Sequence, residues 1–142
     1  MNKLNLKIKK TLITKPALSN LEIEQSLNSY DKNQYFRGVY LRDTLPESPL
    51  KNELGILNLD QEHGFGGTHW TLYLKQGSKC FYFDSFGYGP PEELLNYLKN
   101  DVIYSTFIFQ DVGEKYCGYL CLLVAEKILK GKTYAEALLS LL

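Results

Sequence analysis

The only tryptophan of the chain stands directly after one of its two histidines, in GGTHWTLYL, and three further residues able to do acyl chemistry follow in order: Asp84, Gln110 and Cys117. His69 precedes the strand-like run WTLYL, and Asp84 ends the run CFYFD. The stretch between them, KQGSK, reads as a turn, so the two runs pair antiparallel and residues 69 and 84 meet across the ladder. A carboxylate there accepts a hydrogen bond from one imidazole nitrogen, fixes the tautomer and stabilises the imidazolium. Taken alone, the pair fits an ordinary surface His–Asp contact better.

Cys117 changes that balance. It follows the polar stretch DVGEKY, opens the apolar run CGYLCLLVAEKILK and precedes Gly118. A helix N-terminus presents unsatisfied N–H groups and the positive end of the dipole, which favours thiolate over thiol. Gly118 carries no Cβ to obstruct an approaching substrate backbone, so it is a candidate substrate-binding position. Gln110 ends the β-rich run VIYSTFIFQ, and its amide can join the backbone N–H of Cys117 as a donor to an oxyanion. A lone glutamine at a strand end has little weight without the others. Cys121, one turn deeper on the same helix face, and Cys80, inside a strand, fit the ordinary buried thiol. CxxxC spacing with a distant Cys80 and His69 does not match a structural zinc site, so no metal is expected. His63, in a glycine-rich loop, reads as merely exposed.

These residues must be held by elements the pattern also marks. Ser19 and Glu22 have capping-box spacing, and Leu21, Ile23 and Leu27 share an apolar face, which predicts a helix over 20–29. FRGVYL (36–41) and LGILNL (54–59) read as strands separated by the proline-bearing loop RDTLPESPLKN. Trp70, Leu72 and Leu74 alternate with Thr71, Tyr73 and Lys75. Pro91 with Glu92 and Glu93 opens a helix carrying Leu94, Leu95 and Leu98. VIYSTFIFQ (102–110) is a third β-rich run of this half. Gly131 ends the cysteine helix, and Thr133 with Glu136 caps a last one reaching Leu142. The order predicts one α+β domain over residues 1–142.

A chain of 142 residues holds one compact domain. Its 16 basic and 16 acidic residues cancel, so no net field points to nucleic acid or membrane. An apolar share of 44% argues against wholesale disorder. The 11 tyrosines and 7 phenylalanines serve either packing or a groove for peptide. Residues 1–15 hold Lys3, Lys7, Lys9, Lys10 and Lys15 and no acid, and read as a mobile basic arm or an edge strand with Leu4, Leu6 and Ile8 alternating; contact with nucleic acid is the weaker reading. That start lacks the uninterrupted apolar core of a signal peptide, and no run reaches the length of a membrane span. Three cysteines with no leader predict an intracellular, reducing setting with free thiols.

In combination, GTHWTLYL, then KCFYFDSFG, then Gln110 followed by CGYLC resemble the adenovirus-type maturation proteases (adenains), within a wider group that includes the SUMO- and NEDD8-deconjugating cysteine proteases. YFRGVYLRDTLP (35–46) is similar to the segment before the histidine in adenains, and the resemblance covers about residues 30–130. It implies a papain-like α+β fold: a small antiparallel or mixed sheet flanked by helices, with catalytic residues in the permuted order His, Asp, Gln, Cys. It makes His69 the general base, Asp84 its orienter, Cys117 the nucleophile and Gln110 the oxyanion donor. Trp70 matches a position that in the deconjugating relatives lies over a substrate Gly–Gly, so it would wall the substrate groove. No cofactor is implied. Adenains commonly carry Glu at the position of Asp84, whereas the deconjugases carry Asp, a chemically neutral exchange. Adenains also continue through further helical segments where this chain ends, which leaves open whether an activating peptide docks here. DNA as a cofactor is weakly implied, since its binding needs clustered cations.

The expectation is a monomeric cysteine endopeptidase of a virus or virus-like element. It would trim capsid or core precursors at Gly-containing sites, in host cytoplasm or nucleus or packaged in the virion. A ubiquitin-like-protein deconjugase shares all four residues and ranks second, because a chain this short leaves little surface for a folded modifier. Acyl transfer to a hydroxyl or lysine is a third variant, and a non-catalytic peptide-binding module that keeps the protease shell is the reading from a different class.

Overall fold

A computed structural model of the chain describes residues 18–30, 35–59, 69–111 and 116–142. The basic arm expected at residues 1–15, the strand alternative for Leu4, Leu6 and Ile8, and His63 lie outside the described residues. Among them, no helix is long and apolar enough to cross a membrane.

Five strands stand side by side in chain order: β1 (Phe36–Leu41), β2 (Asn52–Asn58), β3 (Trp70–Gln76), β4 (Lys79–Phe83) and β5 (Val102–Tyr104). The inner pairs β2–β3 and β3–β4 are antiparallel, and the outer pairs β1–β2 and β4–β5 are parallel. The β3–β4 hairpin turns at Gly77, whose φ of +63° suits glycine; nothing lies within 4 Å of where a Cβ would sit, so conformation rather than space selects the residue. From β4 the chain reaches β5 through α2 (Glu92–Leu98), the usual helical crossover between parallel strands. Between β1 and β2 there is no such helix. The connection over 42–51 is tied down instead, by Arg42 paired with Glu93 of α2 at 3.0 Å and by Leu50 N–H donating to Glu53 at 2.6 Å.

Before β1, α1 (Asn20–Tyr30) starts with the expected capping box: Glu22 N–H donates to Ser19 Oγ, and Ser19 N–H to Glu22 Oε1. Ile23 and Leu27 are buried on the face they share at i, i+4, each contributing roughly 1.5–3 kcal/mol. Leu21, expected on that face, is 57% exposed, because two positions along a helix point nearly opposite ways. After the sheet come α3 (Cys117–Leu129) and α4 (Tyr134–Leu139). Gly131, at φ +98°, follows the end of α3, and Thr133 caps α4 with Glu136 in a complete capping box.

The sheet is covered on both faces. One apolar cluster joins Ile23, Leu27, Leu54, Ile56, Leu72 and Phe83 with α3 and α4. The other joins Leu57, Tyr73, Tyr82 and Cys80 with Leu94 and Leu98 of α2. Alternation along β3 therefore sorts side chains between two cores, and every residue from Trp70 to Leu74 is buried. Glu53 sits within this interior at 0% exposure. Its carboxylate accepts from Tyr73 OH at 2.5 Å, Tyr97 OH at 2.8 Å and Arg37 Nη1 at 3.3 Å, as well as from Leu50 N–H. Beside so fixed a negative charge, burial and Glu53 together push both tyrosine hydroxyls well above their ordinary pKa. Gly55 leaves the room that the Tyr73 ring fills.

The run VIYSTFIFQ departs from its expected strand. Only Val102–Tyr104 pair with β4. Beyond them the ladder is lost, because the N–H groups of Phe109 and Gln110 both turn to the carbonyl of Ser85, at 2.8 and 3.3 Å. Phe109 then packs on Phe83, with ring centroids 5.6 Å apart.

Candidate active site

The hairpin register carries its chemistry to one end of the sheet. Leu72 opposes Phe83 in the β3–β4 ladder, so Asp84, just after β4, falls level with Thr71, and His69, just before β3 and two residues from Thr71 on the same face, reaches it diagonally. His69 Nε2 lies 2.7 Å from Asp84 Oδ1. The same oxygen accepts Phe86 N–H at 2.8 Å, which fixes the carboxylate before it meets the imidazole. Asp84 is 2% exposed, and its Oδ2 makes no hydrogen bond among the described residues. The Phe86 ring lies on the imidazole, centroids 4.8 Å apart, and holds its plane. With Nε2 committed to Asp84, Nδ1 is left for the sulfur of Cys117, which also hydrogen-bonds the ring.

Cys117 is the first residue of α3, where helix N–H groups lack intrahelical acceptors. Its Sγ accepts the backbone N–H of Trp70 at 3.4 Å, so the histidine's own neighbour holds the sulfur beside the imidazole. Burial opposes protonation of His69, but the hydrogen bonds and charges of Asp84 and Cys117 outweigh it and raise the imidazole from 6.5 to about 9. At neutral pH His69 is an imidazolium, the partner that favours a thiolate. The other two thiols are set apart: burial pushes Cys121 and Cys80 up, which keeps both protonated and inert.

Gln110, 2% exposed, is drawn to the same corner through Ser85, the residue after Asp84. Ser85 Oγ donates to Gln110 Oε1 at 2.7 Å, while the Ser85 carbonyl holds the Gln110 backbone. Gln110 thus sits one residue from the carboxylate that orients His69.

Trp70 and Gly118 are close neighbours. A Cβ on Gly118 would lie 3.1 Å from Trp70 Cδ1 and 3.4 Å from Leu18, so its missing side chain makes room for the chain's own residues. Trp70 is 5% exposed, and its indole N–H donates to the Leu18 carbonyl at 3.1 Å. Sequence reasoning passed over Leu18, Ser85 and Phe86. A signal for Leu18 existed: an apolar residue just before the Ser19 cap is the staple position that packs onto the first helical turn. Ser85 and Phe86 lay inside the FDSFG motif without a role, since their partners are chosen by tertiary contact.

No protein-family model matches this chain, and no curated protein matches it in sequence. Solved structures do match. The ASFV pS273R protease is similar at a TM-score of 0.62 and 16% identity, over 85% of this chain and 60% of that one. This chain therefore spans about three fifths of that protease. The SUMO protease Ulp1, in a structure whose catalytic cysteine is oxidised to a sulfinic acid, is similar at a TM-score of 0.53 and 17% identity, over 99% of this chain and 82% of that one. Both neighbours are proteases, and what they share with this chain is the fold. The likeness is one of fold: an α+β arrangement of a mixed sheet flanked by helices, as in these two proteases.

Proposed function

We propose that this chain is a cysteine endopeptidase with Cys117 as nucleophile, His69 as general acid and base, Asp84 as its orienter, and Gln110 with the backbone N–H of Cys117 as oxyanion donors. The observation that carries the reading is one imidazole held between Asp84, at 2.7 Å, and the sulfur at the start of α3. The Cys117 thiolate attacks the scissile carbonyl carbon, and the carbonyl electrons move to oxygen. As the intermediate collapses, the C–N bond breaks and the leaving amine takes a proton from His69. Water then gives His69 a proton as it attacks the thioester, the C–S bond breaks, and the acid product leaves. Cys117→Ala removes the attacking atom and abolishes turnover in a fold that stays intact by circular dichroism; turnover at wild-type rate in that variant ends the reading.

The finer assignment is to precursor proteins of a virus or virus-like element, cut at Gly-containing sites. It is supported by the HW and FDSFG motifs and by likeness to the ASFV protease. The deconjugase reading has its own support, because the Ulp1 match spans most of both chains. Vinyl sulfones built on SUMO, NEDD8 and ubiquitin C-termini separate the two readings. An endopeptidase ignores all three and cuts a Gly-containing peptide library; a deconjugase is labelled by one of them at Cys117. A shell that only binds peptide shows no faster maleimide labelling of Cys117 than of Cys80 and Cys121.

A further inference from the structure

Gln110 can serve an oxyanion only if its amide presents nitrogen, not oxygen, to the reacting carbonyl. A glutamine amide has nearly the same shape in both senses, so shape alone does not choose. The choice is made where the amide is held, and the structure shows where. Ser85 Oγ lies 2.7 Å from Gln110 Oε1, and both residues are withdrawn from solvent, at 0% and 2% exposure. The Ser85 carbonyl also receives the Phe109 and Gln110 N–H groups, so one residue anchors both the backbone and the side chain of the glutamine. Phe109 lies in the same apolar cluster as Cys117 and Trp70.

We infer that Ser85 is a positioning residue for the oxyanion donor: its hydroxyl donates to Gln110 Oε1 and so turns the amide N–H groups away from Ser85, toward the developing charge. The inference rests on the cysteine-protease reading of the site. In that sense the hydrogen bonds run in one direction, from Ser85 O–H to the amide oxygen and from the amide N–H to the oxyanion, and each polarises the next. In the opposite sense Ser85 accepts from the amide, and a carbonyl oxygen faces the oxyanion and repels it. In the resting protein the Ser85 hydroxyl already donates to the amide oxygen, and a developing oxyanion reinforces that same sense. Ser85 is also next to Asp84, so a single short segment orients the imidazole with one residue and the oxyanion donor with the next.

Ser85→Ala, Ser85→Thr, Gln110→Ala and the Ser85→Ala/Gln110→Ala pair test this. The substrate is a fluorogenic peptide ending in Gly–Gly on aminomethylcoumarin, with iodoacetamide as a second reagent, since alkylation of the thiolate forms no oxyanion. Ser85→Ala lowers kcat about ten-fold with KM nearly unchanged, leaves the iodoacetamide rate at Cys117 unchanged, and has no further effect on top of Gln110→Ala; Ser85→Thr restores kcat. Equal losses from Ser85→Ala with and without Gln110 overturn the inference, as does a fall in iodoacetamide rate to match kcat. A readout free of turnover is the side-chain amide of Gln110 by nuclear magnetic resonance in the Cys117→Ala chain. Its order falls in Ser85→Ala and returns in Ser85→Thr, and an amide equally ordered in all three overturns the inference. Failure of the protease reading looks different: Cys117→Ala retains turnover, or the peptide is not cut while the amide still responds to Ser85.

Discussion

Glu53 and Asp84 are both withdrawn from solvent on the same sheet, at 0% and 2% exposure, yet their surroundings differ in kind. Glu53 lies on β2, opposite Lys75 on β3, toward the hairpin-turn end of the ladder, and collects donors from two tyrosines, an arginine and a backbone N–H. Asp84 lies at the other end of the hairpin and loads both of its hydrogen bonds onto one oxygen. Its second oxygen is unsatisfied among the described residues, and its main partner is a half-buried imidazole whose side chain is 22% exposed. A carboxylate with all its acceptor sites filled by immobile donors rigidifies a core. One that leans on a single titratable, accessible ring is arranged to respond to that ring's charge. The lesson is that burial alone does not separate a structural carboxylate from a reactive one; the identity and mobility of its partners do.

That contrast can be broken most sharply by exchanging activity against stability. Asp84→Asn keeps the volume but removes the charge and presents the wrong partner to His69; kcat falls roughly 10⁴-fold, as for the orienting acid of other triads, while the urea midpoint read above pH 9, where the His69 imidazolium no longer contributes, moves little. Glu53→Ala does the reverse. It strands two tyrosine hydroxyls in the interior and takes the partner from the partly exposed Arg37, lowering unfolding free energy by about 1–3 kcal/mol for each hydroxyl, whereas the fraction that remains folded keeps its kcat. If both substitutions reduced activity and stability in the same proportion, the two carboxylates would not be different kinds of group.

A smaller effect sharpens the Asp84 side. Because the His69 imidazolium is favoured in the fold up to about pH 9 rather than 6.5, its contribution to stability is fully present below 6.5 and is lost as pH rises through 9. The charged imidazole is lost over the same range, so kcat/KM declines on an alkaline limb near pH 9. In Asp84→Asn that limb moves to lower pH, since a carboxylate that raises the imidazole is gone. An unmoved limb would mean that the limb reports some other group. The smallest effect belongs to the Glu53 side: Tyr97→Phe removes one donor to a charged acceptor, at roughly 1.5–3 kcal/mol, read by thermal or urea unfolding with no change in the pH profile.

Much of the candidate site was legible because it depends on short-range chemistry. The Gly77 turn sets the β3–β4 register, which puts Asp84 level with Thr71 and so leaves His69, two residues earlier on the same face, within diagonal reach of it. The change from polar DVGEKY to an apolar run marks the start of α3 at Cys117, and side chains at Ser19 and Thr133 mark two further helix starts. The β-propensity of STFIFQ misled, because two backbone N–H groups found a better-placed acceptor in the Ser85 carbonyl than in β4.

By itself, then, the amino-acid sequence determined what neighbouring residues settle among themselves: hairpin, caps, helix starts, and the residue types that meet at one end of a hairpin. Only the tertiary structure decided the parallel pairing of β1 with β2, the four donors around Glu53, the Ser85–Gln110 contact and the Leu18 carbonyl under the Trp70 indole. Each of these joins segments far apart in the chain. Such a contact forms only after loops have closed and two cores have packed, so no local pattern encodes which partner a buried polar group will find.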